Sequence, residues 1–335
     1  MAFVSKPSTP EHAKEISALL SDVLEVAPDS PELQRWKYWG PHPLWDKPRS
    51  YVLLQQEAVV AHGFSWPVRL QGRFGEMTGM FWHDWVARND AAGAGIQSLS
   101  QRRKDAAALF AIGGTDFTRK ILPAMGYKAY NNFCFLHRPL RPVATAWQRS
   151  PHDWKAPLRI ARNFVRAKSP TVKMRPGWSY AKVTPEVIPA GLFPRSQTEN
   201  AIAERSAELL AYMMRCPAFE QTACYLLNHG GAPVAYFFLA SREGRLRLVD
   251  YGPNDLSEET AKPLATAAQL AAQSDFPAAI DMVAATTEPA VLTGFLQAGL
   301  HRAGEEPIWV LKVNQALDPT QNFRLTLMDW DACIL

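Results

Sequence analysis

The chain repeats itself in outline, and that repeat limits its fold more than any other feature. Tyr51-Val52-Leu53-Leu54, a polar turn at Gln55-Gln56-Glu57 and a strand from Val59 to Arg69 read as a hairpin. Cys224-Tyr225-Leu226-Leu227, a turn at His229-Gly230-Gly231 and Pro233-Val234-Ala235-Tyr236 read the same way, with Val234 lying 174 residues after Val60. Leu122 to Tyr127 and Phe295 to Leu300 each read as a helix leaving through glycine into a strand, and Gly299 lies 173 residues after Gly126. Upstream, Glu208-Leu209-Leu210-Ala211-Tyr212 echoes Glu32-Leu33-Gln34-Arg35-Trp36. A shared order at a near-constant offset is what a duplicated domain gives. A chain of 335 residues has room for two domains at roughly 150 residues each.

In the first copy Ser8-Thr9-Pro10-Glu11 opens a helix, with Pro10 in its first turn and Thr9 or Ser8 as cap. Ile16, Leu19, Leu20, Val23 and Leu24 form its apolar face. A second helix, Glu32 to Trp39, carries Trp36, Tyr38 and Trp39, which read as core or a groove wall. After the hairpin comes a strand from Gly75 to Val86. Ala106 to Ile112 follows as a buried strand, then a helix from Phe117 to Met125 capped by Thr115 or Asp116 and stopped by Gly126, then the strand Asn132 to Leu136.

Between the strand ending at Val86 and the next helix runs Arg88-Asn89-Asp90-Ala91-Ala92-Gly93-Ala94-Gly95-Ile96-Gln97. Glycine has no Cβ to hold a ligand off the backbone. The first amides of a helix have no partner inside it, and the helix dipole adds positive charge there. Ala92, Gly93, Ala94, Gly95 and Ile96 therefore present a seat for a phosphate or pyrophosphate. A close helix-on-strand contact with no ligand explains the same glycines.

The order of elements, with these motifs, resembles the GNAT acyltransferase superfamily. Asp90-Ala91-Ala92-Gly93-Ala94-Gly95 is similar to that family's Arg/Gln-x-x-Gly-x-Gly/Ala, with Asp90 in place of the basic or amide residue and a turn from Val86 about one residue short. Ile121-Leu122-Pro123-Ala124-Met125-Gly126-Tyr127 resembles the family's late helix, with Leu122 where a tyrosine usually protonates the departing thiolate. The resemblance implies an α/β (α+β) fold of two tandem GNAT-like domains, each a mixed, mostly antiparallel sheet flanked by helices. It implies acetyl-CoA, or another acyl-CoA, as co-substrate, its pyrophosphate on the Gly93–Gly95 amides and its thioester carbonyl held by the backbone near Val86. Residues 1–140 would form the first domain with the acyl-CoA site, 141–175 a basic linker, and 176–335 a second domain with a degenerate motif.

That degeneracy is visible in the residues. Arg245 to Tyr251 leads into Gly252-Pro253-Asn254-Asp255 and a helix from Ser257 to Gln273, with no glycine pair, and Pro253 removes an amide from the turn. The expected tyrosine is Phe295. The second copy reads as the poorer CoA site, shaping an acceptor groove.

Acyl transfer to an amine needs the amine neutral, so a base or a water relay has to reach it. His83 and Asp84 are the best placed catalytic candidates, with Glu76 earlier on the same strand; alternation sends His83 and Asp84 to opposite faces. A structural His or Asp explains either one equally simply. No Ser-His-Asp arrangement with local motifs and no His-Glu-x-x-His metal motif is present, so no metal is expected. The tail Leu325 to Asp331 reads either as a cap on the second domain or as acids for a groove.

From Arg138 to Arg175 ten cations face the single acid Asp153. Leu158, Ala161, Phe164 and Val165 share a helix face opposite the arginines. Such a helix suits a peripheral contact with an anionic membrane or an acidic partner; the plainer reading is a linker packed between domains with its charges in water. Nucleic acid is not expected, because no aromatic-basic motif accompanies a net charge of +4. Cys134, Cys216, Cys224 and Cys333 are scattered, no apolar run spans a membrane and no signal opens the chain, which makes a cytoplasmic enzyme the expectation. The expected activity is N-acyltransfer from acyl-CoA to a small-molecule or peptide amine. The alternatives are a Fem-type peptidyl transferase using aminoacyl-tRNA, and a non-catalytic binding protein of GNAT descent.

Overall fold

The structure, a computed structural model, describes residues 3–103, 106–114, 116–149, 155–168, 172–195, 200–312 and 320–330. It divides into two compact units, Met1–Tyr130 with Ile308–Gln321, and Asn131–Pro307 with Asn322–Leu335.

The first unit runs β1 (Val4–Pro7), α1 (Ala13–Leu24), α2 (Pro31–Gln34), β2 (Ser50–Gln55), β3 (Ala58–Gly72), β4 (Gly75–Ala87), α3 (Ala94–Arg102), β5 (Ala108–Ile112) and α4 (Asp116–Ala124). Thr9 caps a short 3-10 turn, Pro10–His12, that leads into α1, and α1 buries Ile16, Leu19 and Leu20. The Gln55–Glu57 turn forms as predicted, with Gln56 and Glu57 both at positive φ, the twist that suits a tight hairpin. Strands β1 to β4 pair antiparallel in sequence order. β4 and β5 pair in parallel only at Gly79–Phe81 and Ala108–Phe110 and then part. On one face Met80 and Trp82 of β4 pack with Leu99 of α3 and Leu122 of α4. On the other, Phe64 lies 6.0 Å from Trp66 and Phe81 lies 5.1 Å from Phe110, ring centre to ring centre. Thr115, a predicted cap of α4, lies outside the described residues.

The second unit follows with residues 131–139 of β6 (Lys128–Pro139), then α5 (Pro142–Arg149), α6 (Ala156–Lys168), β7 (Trp178–Val183), β8 (Asn200–Ala203), α7 (Ala207–Met214), β9 (Gln221–His229), β10 (Ala232–Arg242), β11 (Arg245–Gly252), α8 (Glu258–Asp275), β12 (Asp281–Thr286), α9 (Pro289–Gln297), the first part of β13 (His301–Lys312) and β14 (Asn322–Arg324). Ser257 caps α8 by accepting from the Thr260 amide at 3.3 Å. β11 and β12 pair in parallel at Arg245–Arg247 and Asp281–Val283, the same short parallel contact that β4 and β5 make. The core gathers Tyr225, Phe237, Leu246, Leu264, Met282 and Phe295 under α8 and α9. Gly294 lets α9 approach α8, where a Cβ would press on Ala261. Each unit is thus a mixed, mostly antiparallel sheet with helices packed on it, and from β2 to α4 and from β9 to α9 the two share one order: three strands, helix, strand, helix.

Each unit is also completed by sequence from the other half. In the first, residues 308–312 of β13 pair antiparallel with β5, Ile308 opposite Ile112 and Lys312 opposite Ala108. In the second, β6 pairs antiparallel with β12, Cys134 opposite Thr286 and Pro139 opposite Asp281. The sequence expectation drew its boundaries at 140 and 175; by contacts the division falls after Tyr130, and the basic segment groups with the second unit. Strand pairing at long sequence range leaves no local trace, which is why composition did not reveal it.

The C-terminal tail packs into the second unit as a cap. Leu325, Leu327, Met328 and Asp329 are buried, and Trp330 lies edge-on to Phe133 and Phe135. Asp331 and Cys333 lie outside the described residues. Cys134, Cys216 and Cys224 are buried free thiols.

Candidate functional site

The turn after β4 is built by two glycines with separate roles. Gly93 caps α3 at φ +83°, a conformation that glycine adopts without the strain a Cβ would bring. Nothing lies within 4 Å of where its Cβ would stand, and Ala92, Gly93 and Ile96 are exposed. Gly95 instead faces the strand, its Cβ position 3.6 Å from Trp85 and 3.7 Å from Ala87. The Trp85 indole donates to the Gly95 carbonyl at 3.0 Å and so ties the helix entry to β4. The Ala94 amide is used by the Ala91 carbonyl at 3.1 Å. The Gly95 and Ile96 amides fall within the first helical turn, where there is no carbonyl a turn earlier in the helix to receive them. Asp90 does not leave the turn negative: Arg88 grips it with two bonds, 3.0 and 2.6 Å, and holds its carboxyl below the usual range. The turn thus offers an open approach and two helix-start amides, with the Arg88 guanidinium engaged by Asp90.

Val86, where the thioester carbonyl is expected, is buried at the end of β4 beyond a bulge. His62 opposes Val86 while Phe64 opposes His83, so the β3–β4 register shifts by an extra residue on β4. Asp84 sits in that bulge at φ +48°. A bulge re-aims side chains, and here it cancels the expected alternation. His83 packs on Phe64 and stacks on Phe81. Asp84 takes the hydroxyl of Tyr38, whose ring packs on Phe64 at 5.4 Å. Both side chains therefore address one face, where alternation alone had put them on two.

Asp84 is the centre of a buried polar network. Lys37 lies 2.8 Å from its Oδ2, and the Tyr38 hydroxyl donates to that oxygen at 2.6 Å. Lys37 also reaches Asp29 at 3.4 Å. Burial pushes the Asp84 carboxyl up, but Lys37 and the hydrogen bonds outweigh it and hold the group at about 2. His83 is held down at about 3 and His62 at about 4, in each case chiefly by burial. At neutral pH both imidazoles are uncharged. His62 Nε2 meets Ser50 Oγ at 2.9 Å, and Ser8 Oγ donates to Ser50 Oγ at 2.6 Å.

Lys37 and Tyr38 lie on a single π-helical turn, Arg35–Trp39, closed by the Gly40 amide on the Arg35 carbonyl at 2.6 Å. Such turns offer side chains at an unusual pitch. The sequence reads this aromatic stretch as core or a groove wall, and gives no role to Lys37, Tyr38, His62 or Ser50; the one available signal is a lysine between aromatics. Tyr38 and Ser50, with Trp39, His42, Trp45 and Arg49, line a cavity of about 880 Å³ in the same unit. The Gly93 turn does not line it.

Leu122 is buried against Met80, Trp82 and Leu109, and Phe295 is buried 5.6 Å from the Tyr251 ring. Both positions are core, so neither carries proton chemistry. In the second unit the end of β11 is held by the chain's own tail. Arg324 donates to the Tyr251 carbonyl at 2.8 Å and pairs with Glu288 at 3.1 Å. Arg205 bridges Asp250 at 3.0 Å and Asp329 at 2.7 Å. A smaller cavity of about 420 Å³ remains there, lined in part by Ser257, Glu288 and Arg324. Among the described residues no helix is long and apolar enough to cross a membrane.

No protein-family model matches the chain, and comparison with curated proteins finds no match. Solved structures do match. A GCN5-related N-acetyltransferase from Anabaena variabilis superposes with a TM-score of 0.59 at 11% identity, covering 93% of this chain and 73% of that one. The N-myristoyltransferase of Saccharomyces cerevisiae with bound myristoyl-CoA gives 0.58 at 12%, covering 95% and 84%. A tandem GNAT protein from the clavulanic acid biosynthesis pathway gives 0.56 at 11%, covering 94% of this chain and 100% of its own. The fold is that of the tandem GNAT proteins, an architecture used by acyl-CoA N-acyltransferases.

Proposed function

We propose that the protein transfers an acyl group from acyl-CoA to an amine, with acetyl-CoA as the expected donor and the cytoplasm as its place of work. The observation that carries this reading is the turn at Gly93. It is open and left-handed, and the Gly95 and Ile96 amides stand in the first turn of the helix it opens, a seat suited to the diphosphate of CoA. In the reaction the amine nitrogen forms a bond to the thioester carbonyl carbon, the carbon–sulfur bond breaks, and the amine's proton leaves as the thiol is made.

The chain's own groups set the terms. The bulge at Asp84 frees backbone between His83 and Val86 from regular pairing, which supports a role in holding the carbonyl. Asp84 sits at about 2 beside Lys37 and His83 at about 3, so both are weak bases at neutral pH. We assign them to positioning: Asp84 fixes the bulge through Lys37 and Tyr38, and His83 braces it on Phe81. The acceptor enters by the 880 Å³ cavity, whose wall shares Tyr38 with that network. Its aromatic and cationic lining suits a small-molecule or peptide amine with an aromatic or anionic part, the proton leaving through water.

Thermal stabilisation by acetyl-CoA tests the reading. The expected result is a rise in melting temperature that Gly93→Glu abolishes while the variant stays folded. Stabilisation by aminoacyl-tRNA alone, or by neither ligand, overturns it. The second outcome is favoured by one observation, the burial of Leu122 where an acid would stand, and would make the protein a binding module.

A further inference from the structure

Helix α6 turns its apolar residues outward. It packs through Ala156 and Asn163, which are buried, with Ile160 and Ala167 beside them. Asn163 donates to the Pro142 carbonyl at 3.2 Å, and Arg138 donates to the Ala167 carbonyl at 2.8 Å. Leu158 and Val165 lie on the opposite side, 68% and 70% exposed, with exposed Ala161 between them and Phe164 alongside at 42%. Of the two sequence readings of this face, packed in a linker or presented to a surface, the packed one does not hold. At 3.6 residues per turn Leu158, Ala161 and Val165 form one ridge. Lys155, Arg159, Arg162 and Arg166 form the ridge next to it, about a quarter turn round and not opposite as the sequence reading has it, and no acidic residue lies between 155 and 168.

We propose that this face of α6 docks on an anionic lipid bilayer. A convex apolar ridge beside a row of cations matches a lipid surface, where the side chains enter the acyl boundary while the cations meet the headgroups. A second copy of the chain is a poor occupant, because two such faces would set like charges against each other. An acidic peptide would need a groove, and a single helix flank offers a ridge. The inference does not rest on the acyltransfer reading, since no residue of the Gly93 turn or the Asp84 network takes part.

Co-sedimentation of the full chain with vesicles tests it. Binding is expected to vesicles of phosphatidylserine and phosphatidylcholine, to weaken with salt, and to be weak to phosphatidylcholine alone. Leu158→Asp with Val165→Asp changes exposed positions only, and should weaken vesicle binding about tenfold or more with an unchanged circular dichroism spectrum. Arg162→Gln with Arg166→Gln should remove most of the preference for the anionic lipid. No binding by the wild-type chain, equal binding to both vesicles, full binding by the double aspartate variant, or capture of polyglutamate in place of vesicles each overturns the proposal.

Discussion

Lys37 holds its ammonium 2.8 Å from Asp84, on the same carboxylate oxygen that the Tyr38 hydroxyl reaches at 2.6 Å. Neighbours in sequence on a π-helical turn thus neutralise a charge in the bulge of β4, 46 residues further on. Lys37→Met should leave a buried carboxylate uncompensated and cost about 3–5 kcal/mol. Urea unfolding measures it. Lys37→Met combined with Asp84→Leu should recover part of the loss, and a Lys37→Met variant of unchanged stability contradicts the network.

Acid should loosen the first unit well above the carboxylate range. His42, His62 and His83 titrate at about 3, 4 and 3 when folded, held down chiefly by burial, against 6.5 ordinarily. Below 6.5 the unfolded chain binds protons that the folded chain refuses, so stability present above 6.5 is lost as pH falls toward 4 and 3. At pH 5 the loss is on the order of 1–2 kcal/mol for each imidazole. Asp84 adds a second loss with the same sign, as pH falls from its ordinary 3.8 through about 2. Urea midpoints at pH 7.5, 6 and 5 should fall in turn, and His83→Phe should flatten the slope. A level profile contradicts the burial of neutral imidazoles.

Two glycines of the first unit should fail differently. Gly93→Ala meets open space but must hold φ +83°, costing about 1–2 kcal/mol. Gly63→Ala has ordinary backbone but drives a methyl into the Trp82 ring, an overpacking worth about 1–3 kcal/mol. Gly63→Ala should be rescued by Trp82→Phe, whereas Gly93→Ala should not. Denaturant unfolding of the single and paired variants separates the two causes.

In the second unit, Arg205→Met strands the Asp250 and Asp329 carboxylates together in the interior. The expected loss is about 3–5 kcal/mol. Limited proteolysis should then release the tail from residue 320 onward, because Asp329 and Thr326 both bond Arg205. A tail that stays protected shows that the apolar side chains Leu325, Leu327 and Met328 alone secure it.

Much of this was legible in the residues, and the rest was hidden for physical reasons. The Gln55–Glu57 hairpin, the Gly93 entry to α3 and the Gly126 exit from α4 all rest on local backbone chemistry, which sequence states directly. The duplicated order was legible because it repeats at a fixed offset. The aim of Asp84 was not, since a single left-handed residue reverses what alternation predicts. Nor was the partnership of Lys37 with Asp84, which depends on the sheet bringing distant turns together. Periodicity located the apolar face of α6 but not its direction. An amphipathic helix presents the same pattern whether that face meets core or solvent.

The crossing of β6 and β13 bears on how the chain is made. Residues 308–312 supply the last pairing of the first unit, and they are translated almost two hundred residues after β5. Until they emerge, β5 offers an open edge to whatever strand is near. A ribosome therefore exposes the β5 edge long before the strand that covers it is made. Cutting the gene at the repeat would yield two fragments that each lack a wall, rescuable only when both are present in one cell.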